Sequence, residues 1–118
     1  MTPSPSPQRV LVVDDQEIPR IYIARALAEA GYEVAFATNG LEAIEQLHIA
    51  CPDLLITDNR MPGMSGDMLI AEARERFPDL PILRISGGGD GEHPRAPTLF
   101  KPFDPDALLE AVRELLRS

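Results

Sequence analysis

The chain has 118 residues, enough for one domain with a single hydrophobic core, and its 44% hydrophobic and 25% charged residues are typical of a globular protein. Nineteen acidic residues against eleven Lys and Arg give a net charge of -8, which argues against nucleic acid or an anionic membrane as a partner. Because no apolar run approaches the roughly 18 residues of a membrane span, the N-terminus lacks a signal-peptide apolar region and Cys51 is the single cysteine, we expect a cytoplasmic protein without disulfides.

Apolar runs rich in β-branched residues alternate with helical patterns along the chain. Pro and Ser alternate near the N-terminus, so residues 1–8 are predicted to form a flexible tail and residues 9–118 the domain. Continuous apolar runs are typical of strands that are covered on both faces. Strands are predicted at residues 10–13, 33–37, 54–57, 82–85 and 98–100.

Four helices are predicted between and after these strands. Gly31 follows the first helix, Pro52 stops the second, residues 67–76 form the third, and Asp104 caps the last. Strands that alternate with helices imply right-handed crossovers, so we expect a doubly wound α/β fold with a parallel sheet. The apolar residues that mark these helices are Ile21, Ala24, Leu27 and Ala28 on one face of the first, Leu41, Ile44 and Leu47 in the second, Leu69, Ala73 and Phe77 at helical spacing in the third, and the stripe Leu108, Leu109, Val112, Leu115 and Leu116 in the last.

The connection between the fourth and fifth strands departs from this pattern. About eleven residues, 87–97, are left for the crossover, and they contain four glycines and two prolines. Because a regular helix does not tolerate this composition, we expect a mobile loop in place of the fourth helix. The glycine run lacks the strand–turn–helix context of a nucleotide-binding fingerprint, so a flexible loop is the preferred interpretation.

Five polar side chains stand at the carboxyl ends of the predicted strands: Asp14, Asp15, Asp58, Ser86 and Lys101. Taken singly, each has a simpler interpretation, as a helix N-terminal acid, a turn residue or a surface lysine. If the strand order is 2-1-3-4-5, however, the three aspartates converge at the switch point of the sheet. Three carboxylates in one crevice require a cation or a proton, and oxygen-only ligands suit Mg²⁺.

A carboxylate at a strand end beside Mg²⁺ can attack a phosphoryl group and form an aspartyl phosphate. Such a transfer depends mainly on positioning and on neutralisation of charge. Lys101 would supply positive charge, and the Ser86 hydroxyl would donate a hydrogen bond to a phosphoryl oxygen. The sequence therefore predicts phosphorylation of Asp58.

Four motifs in this order resemble the receiver domain of two-component response regulators, and the resemblance extends over residues 9–116. They are Val-Leu-Val-Val-Asp-Asp ending at Asp15, Asp-Asn-Arg-Met-Pro-Gly-Met-Ser-Gly starting at Asp58, Ile-Ser-Gly around Ser86, and Lys-Pro-Phe starting at Lys101. The resemblance implies a flavodoxin-like, five-stranded parallel sheet of order 2-1-3-4-5. It also implies Mg²⁺-dependent phosphorylation of Asp58 by a sensor histidine kinase or a phosphotransfer protein.

The family pattern also implies a role for each residue of the site. Ser86 takes the position of the switch hydroxyl, and Lys101 that of the lysine that contacts the phosphoryl group. The implied protein is similar to the stand-alone regulators of chemotaxis and phosphorelays, with an unidentified protein as its target and no output module. We expect a monomer that is not an enzyme beyond its own phosphorylation and dephosphorylation. The implied metal ligands are Asp14, Asp15, Asp58 and the backbone carbonyl of Arg60.

Three features differ from the usual receiver pattern. Thr98 stands where an aromatic switch residue is usual, with Phe100 nearby; Asn59 replaces a hydrophobic residue; and the fourth helix is expected to be missing. We therefore expect an altered switch, in which the loop 87–97 becomes ordered when Ser86 meets the phosphoryl group. The expected switch and output residues are Ser86, Thr98, Phe100, Gly87, Gly88 and Gly89.

Two alternative functions stay open at this point. The first is a receiver-like scaffold that binds protein without being phosphorylated, against which the intact set of acids, serine and lysine argues. The second is a haloacid-dehalogenase-like phosphatase, which also uses an aspartate at a strand end. That family requires Asp-x-Asp at the nucleophile, whereas Arg60 stands two positions after Asp58, so we rank it last.

Overall fold

A computed structural model describes residues 7–117; residues 1–6, which make up most of the predicted tail, and Ser118 lie outside the described residues. The division into a tail and a domain therefore stays a prediction. None of the helices between residues 7 and 117 is long and apolar enough to cross a membrane. In chain order the elements are β1 (Arg9–Val13), α1 (Glu17–Glu29), β2 (Glu33–Ala37), α2 (Gly40–Ile49), β3 (Leu54–Asp58), α3 (Gly66–Arg76), β4 (Ile82–Ser86), β5 (Thr98–Phe100) and α4 (Pro105–Arg117).

The five strands form one parallel sheet in the order β2-β1-β3-β4-β5, which confirms the predicted fold. At the carboxyl end of β1, Val13 lies opposite Ala37 of β2 and Thr57 of β3. On the next strand pair, Asp58 of β3 lies opposite Ile85 of β4. Since the chain leaves β1 for β2 and returns to β3 on the other side, the switch point lies between the carboxyl ends of β1 and β3.

The sheet separates two hydrophobic cores, one on each face. In β1, Leu11 and Val13 belong to one core, and Val10 and Val12 belong to the other. Helices α2 and α3 cover the first core, whereas α1 and α4 cover the second. Because β1, β3 and β4 are buried on both faces, their sequences are continuous apolar runs rather than alternating patterns.

Some of the apolar residues singled out in α1 and α2 are exposed rather than buried. In α1, Ile21 is 45% exposed and Ala28 is also exposed, while Ile23 is buried. In α2, Leu41 is 73% exposed, and Ala43 packs in the core. For α1 the predicted apolar face was wrong at Ile21 and Ala28, because α1 carries apolar side chains around most of its circumference, so their spacing does not determine which side meets the sheet. For α3 and α4 the predicted central residues are buried.

Residues 87–97 form a loop with no helix, as predicted. This loop is nevertheless held by contacts: the backbones of His93 and Ala96 form an isolated bridge, and Arg84 Nη1 donates a hydrogen bond of 2.9 Å to the carbonyl oxygen of Gly91. Glycine is needed here because other residues rarely adopt a positive φ. The three glycines with positive φ are Gly88 (+97°), Gly89 (+83°) and Gly91 (+68°).

Candidate functional site

The three predicted aspartates meet at the switch point of the sheet. Asp14 and Asp15 directly follow β1, and Asp58 is the last residue of the neighbouring strand β3. One carboxylate oxygen of each lies within 4.8 Å of the other two. Asp14 and Asp58 are 2% and 7% exposed, whereas Asp15 is exposed to solvent. The carboxylates therefore line a crevice that is accessible at Asp15.

Asp14 is held by the backbone but keeps one oxygen unpaired. Its Oδ1 accepts a hydrogen bond of 2.9 Å from the Gln16 N–H. Its Oδ2 is buried and has no hydrogen-bond partner among residues 7–117. Burial raises the pKa of the Asp14 carboxyl, the hydrogen bond from Gln16 lowers it, and the charge of Asp58 raises it again. An unpaired carboxylate oxygen beside two further carboxylates suits a hard cation such as Mg²⁺.

Lys101 brings a positive charge to this crevice. It directly follows β5, and its N–H donates a hydrogen bond of 2.8 Å to the carbonyl oxygen of Ser86. Its ammonium Nζ lies 2.8 Å from Asp58 Oδ1. The Asp58 side chain is 8% exposed and that of Lys101 is 36% exposed, so the pair is partly shielded from solvent. This ion pair thus joins Lys101, which follows β5, to Asp58 at the end of β3.

The hydroxyl of Ser86 is already engaged by the loop that follows it. Ser86 is the last residue of β4 and is 1% exposed. Its Oγ donates a hydrogen bond of 3.0 Å to Asp90 Oδ2 and accepts one of 3.2 Å from the Gly88 N–H. The switch hydroxyl implied by the sequence therefore binds a carboxylate of the protein itself.

The turn after β3 carries Asn59 and Arg60, which contact the start of α3 and the carboxylate of Asp90. Asn59 is 6% exposed, and its Oδ1 accepts a hydrogen bond of 3.0 Å from the Asp67 N–H in the first turn of α3. The guanidinium of Arg60 lies 3.4 Å from Asp90 Oδ1. Hydrogen bonds from Asn59, Ser86 and Arg60 lower the pKa of Asp90. The role of the Arg60 backbone carbonyl as a metal ligand stays a prediction.

The predicted output residues lie on β5 and at the start of the loop. The Thr98 hydroxyl accepts a hydrogen bond of 3.2 Å from Arg84 Nη1. Phe100 is 40% exposed at the end of β5. The glycines Gly87, Gly88 and Gly89 connect Ser86 to Asp90. A part for any of them in switching stays a prediction.

Sequence reasoning missed Arg84, which is 1% exposed in the middle of β4. Its Nε lies 2.7 Å from Asp67 Oδ1, and its Nη1 also reaches the loop and β5 through the hydrogen bonds described above. An arginine within an apolar strand run is the signal that could have found it, because a buried guanidinium requires partners. The sequence does not name those partners, since Asp67 lies seventeen residues away.

An apolar groove lies beside Lys101. Its volume is about 260 Å³, and the hydroxyl of Tyr22 on one wall donates a hydrogen bond of 3.1 Å to the carbonyl oxygen of Phe103 on the other. On the same helix, Ile18 is 82% exposed. The groove thus adjoins an apolar surface of α1. Its lining residues are Pro19, Tyr22, Ile23, Lys101, Pro102 and Phe103.

Comparison with protein families gives a match over nearly the whole chain. The model of the response regulator receiver domain matches residues 10–113. The response regulator receiver protein CpdR of Brucella abortus is 36% identical over 116 residues, which are 92% of this chain and 97% of CpdR. The DNA-binding transcriptional regulator NtrC of Escherichia coli K12 is 35% identical over 114 residues, but the match covers 24% of NtrC. The chain therefore spans about a quarter of the length of this relative.

Solved structures resemble the chain over a similar extent. The chemotaxis response regulator CheY4 of Vibrio cholerae has 31% identity and a TM-score of 0.84, with 92% of this chain and 98% of CheY4 covered. A CheY-like receiver domain protein from Methanospirillum hungatei has 27% identity and a TM-score of 0.88, with 95% of each chain covered.

Proposed function

Because the chain belongs to the receiver domain family of two-component response regulators, we propose that Asp58 accepts a phosphoryl group from the phosphohistidine of a sensor histidine kinase or a phosphotransfer protein. The observation that carries this proposal is the 2.8 Å contact between Lys101 Nζ and Asp58 Oδ1 beside the crevice of carboxylates. A carboxylate beside a cation, at the carboxyl end of a central strand, is well placed to react with an incoming ligand.

In the proposed reaction an oxygen of Asp58 attacks phosphorus, the P–N bond to the donor imidazole breaks, and an acyl phosphate forms. The ammonium of Lys101 balances part of the charge of the transferred group. The Ser86 hydroxyl donates a hydrogen bond to a phosphoryl oxygen, for which it must leave its present acceptor, Asp90. The catalytic contribution of the chain is then position and charge rather than acid–base chemistry.

Asp14, Asp15 and Asp58 would hold Mg²⁺, together with the backbone carbonyl of Arg60. The buried, unpaired Oδ2 of Asp14 and the close spacing of the three carboxylates support this assignment. When bound, Mg²⁺ would neutralise negative charge on the phosphoryl oxygens. Before it binds, Lys101 is the cation in contact with Asp58.

The apolar groove beside Lys101 supports a protein as the phosphoryl donor. It places apolar surface next to the reacting carboxylate, and Ile18 and Ile21 extend that surface along α1 at 82% and 45% exposure. Exposed apolar residues grouped on one side of a helix favour a protein contact over a small substrate. A donor seated there would present its phosphohistidine to Asp58.

In this proposal the chain signals through protein contacts that depend on phosphorylation, or passes the group on within a phosphorelay. Its own chemistry is limited to gain and loss of the phosphoryl group. We further propose a cytoplasmic monomer that binds neither nucleic acid nor membrane, in keeping with its net charge of -8.

The proposal is tested by intact-mass analysis after incubation with acetyl phosphate, with and without Mg²⁺. We expect a phosphoryl adduct on the wild type only when Mg²⁺ is present, and none on Asp58→Asn. The matched control is Asp79→Asn, which removes the same charge from an exposed turn just before β4, at the amino-terminal end of the strands. This variant should react like the wild type.

If the wild type gains no adduct from acetyl phosphate, the same assay is repeated with a phosphorylated histidine phosphotransfer protein as donor. No adduct from either donor would contradict the proposal and favour the non-phosphorylated scaffold. An adduct that persists in Asp58→Asn would place the acceptor on another residue and would contradict it as well.

A further inference from the structure

Asp90 accepts the hydrogen bond from the Ser86 hydroxyl that a phosphoryl oxygen would need, and we propose that it is a positioning residue that holds the Ser86 hydroxyl and the Arg60 guanidinium in the unphosphorylated protein. The phosphoryl group displaces this carboxylate on arrival. Asp90 therefore opposes phosphorylation, and its release changes the start of the loop 87–97. This inference rests on the proposed function of Asp58.

The contacts of Asp90 are those expected of an anion bound in a site. Oδ2 accepts the hydrogen bond from Ser86 Oγ at 3.0 Å, and Oδ1 lies 3.4 Å from the Arg60 guanidinium. A hydroxyl and a guanidinium converge on one carboxylate, and the same donor types bind phosphoryl oxygens.

The backbone of the loop reverses direction after Ser86, so that Asp90 lies beside the end of β4. Only three glycines separate it from Ser86, and Gly88 and Gly89 have the positive φ that reverses the chain within so few residues. The next residue, Gly91, is fixed independently through its carbonyl oxygen by the buried Arg84. Asp90 can therefore leave Ser86 without detaching the rest of the loop.

Competition follows from the hydrogen-bonding capacity of Ser86. The hydroxyl has one hydrogen to donate, so it cannot bind Asp90 and a phosphoryl oxygen at the same time. A phosphoryl group also carries negative charge, which repels the Asp90 carboxylate at short range. Phosphorylation of Asp58 therefore breaks the contact between Ser86 and Asp90, and the Asp90 carboxylate turns toward solvent.

The test compares the rates at which acetyl phosphate and Mg²⁺ phosphorylate the wild type, Asp90→Ala and Asp90→Asn. We expect Asp90→Ala to react about two- to tenfold faster, the change that the loss of one competing hydrogen bond produces. Asp90→Asn keeps an acceptor oxygen but loses the charge, so its rate should lie between those of the wild type and Asp90→Ala. Glu92→Ala, which removes one negative charge from the same loop, is the matched control and should react at the wild-type rate.

Repeating the comparison in a Ser86→Ala background distinguishes an effect of Asp90 through Ser86 from a purely structural effect of Asp90. Because Asp90 is proposed to act through Ser86, the advantage of Asp90→Ala should shrink there. An equal advantage in both backgrounds, or equal rates for wild type, Asp90→Ala and Glu92→Ala, would overturn the inference while leaving the proposed function intact. A wild type that reacts with neither acetyl phosphate nor a phosphohistidine donor would overturn both.

Discussion

Arg84 is a charged side chain inside the sheet, and its partners come from three separate parts of the chain. They are Asp67 at the start of α3, the carbonyl oxygen of Gly91 in the loop, and the hydroxyl of Thr98 in β5. A single buried guanidinium thereby joins the elements on both sides of the crossover. It fixes the loop 87–97 to the sheet at Gly91.

We expect Arg84→Ala to lower the free energy of unfolding by about 2–5 kcal/mol, because it leaves a cavity and removes the hydrogen bonds of a buried guanidinium, although its partner Asp67 is 45% exposed. Urea denaturation followed by circular dichroism measures the loss. Arg113→Ala, which changes an exposed arginine of α4, should stay within about 0.5 kcal/mol of the wild type. Similar values for the two variants would show that Arg84 carries little of the stability.

At the residue scale, the sequence predicts the site well where a strand ends on a polar residue. Asp58 and Ser86 stand at such ends, and a parallel sheet places all of these ends along one edge. Contacts such as that between Arg84 and Asp67, or between Ser86 and Asp90, could not be predicted. They depend on how a helix start and a glycine loop are placed in space, which residue type and spacing do not determine.

The start of α3 is the element that fixes the turn after Asp58. Ser65 caps the helix by accepting a hydrogen bond of 3.2 Å from the Met68 N–H. Gly66 donates its N–H to the carbonyl oxygen of Asn59 at 2.8 Å. A Cβ on Gly66 would lie 2.7 Å from Asn59 Cα and would collide with the carbonyl oxygen of Asp58. The helix thus approaches the end of β3 closely enough that only glycine fits.

Gly66→Ala is expected to destabilise the protein by about 1–3 kcal/mol, since backbone must move to admit the methyl group. Thermal unfolding checks the loss of stability, and the acetyl phosphate assay checks for slower phosphorylation of the displaced Asp58. The control is Gly87→Ala, where a Cβ meets no atom within 4 Å and stability should be unchanged or slightly higher. Equal stability of the two variants would refute the close approach.

At the scale of elements, the side of each helix that packs against the sheet was the hardest feature to predict. A strand with two buried faces and a helix with one apolar stripe, such as α4 with Leu108 and Val112, can be recognised from their patterns. Apolar residues surround α1, so Ile21 and Ile23 were equally good candidates for the core. Contact with β1 and α4 decides between them, and the exposed residues are left for the surface beside the groove.

Across the whole molecule, the buried carboxyl of Asp14 makes the stability of the fold depend on pH. The pKa of Asp14 is raised in the folded protein, chiefly by burial, so the folded state favours protonated Asp14. Its contribution to stability is therefore largest below the ordinary Asp pKa of about 4 and is lost as pH rises through the raised pKa. Above the raised pKa, and without a divalent cation, the charge of Asp14 destabilises the protein.

We expect Asp14→Asn to raise the free energy of unfolding of the metal-free protein at pH 7 by about 1–3 kcal/mol, because the amide avoids the cost of burying a charge and, to a lesser degree, repulsion by Asp58. The gain should vanish below pH 4, where Asp14 is protonated in both states. Mg²⁺ should raise the Tm of the wild type much more than that of the variant. Denaturation curves from pH 3 to 8 test this, with Asp79→Asn as the control; a variant less stable than the wild type at pH 7 would contradict it.

The open edge of the sheet at β5 is only three residues long, and Pro102 follows it closely. An edge strand offers unpaired N–H and C=O groups that can recruit the strand of another molecule and seed aggregation. Because β5 has only three residues, it presents too few of these groups to act as a template. The short length of β5 thus protects this edge against strand addition, whereas other proteins cover an exposed edge strand with a helix.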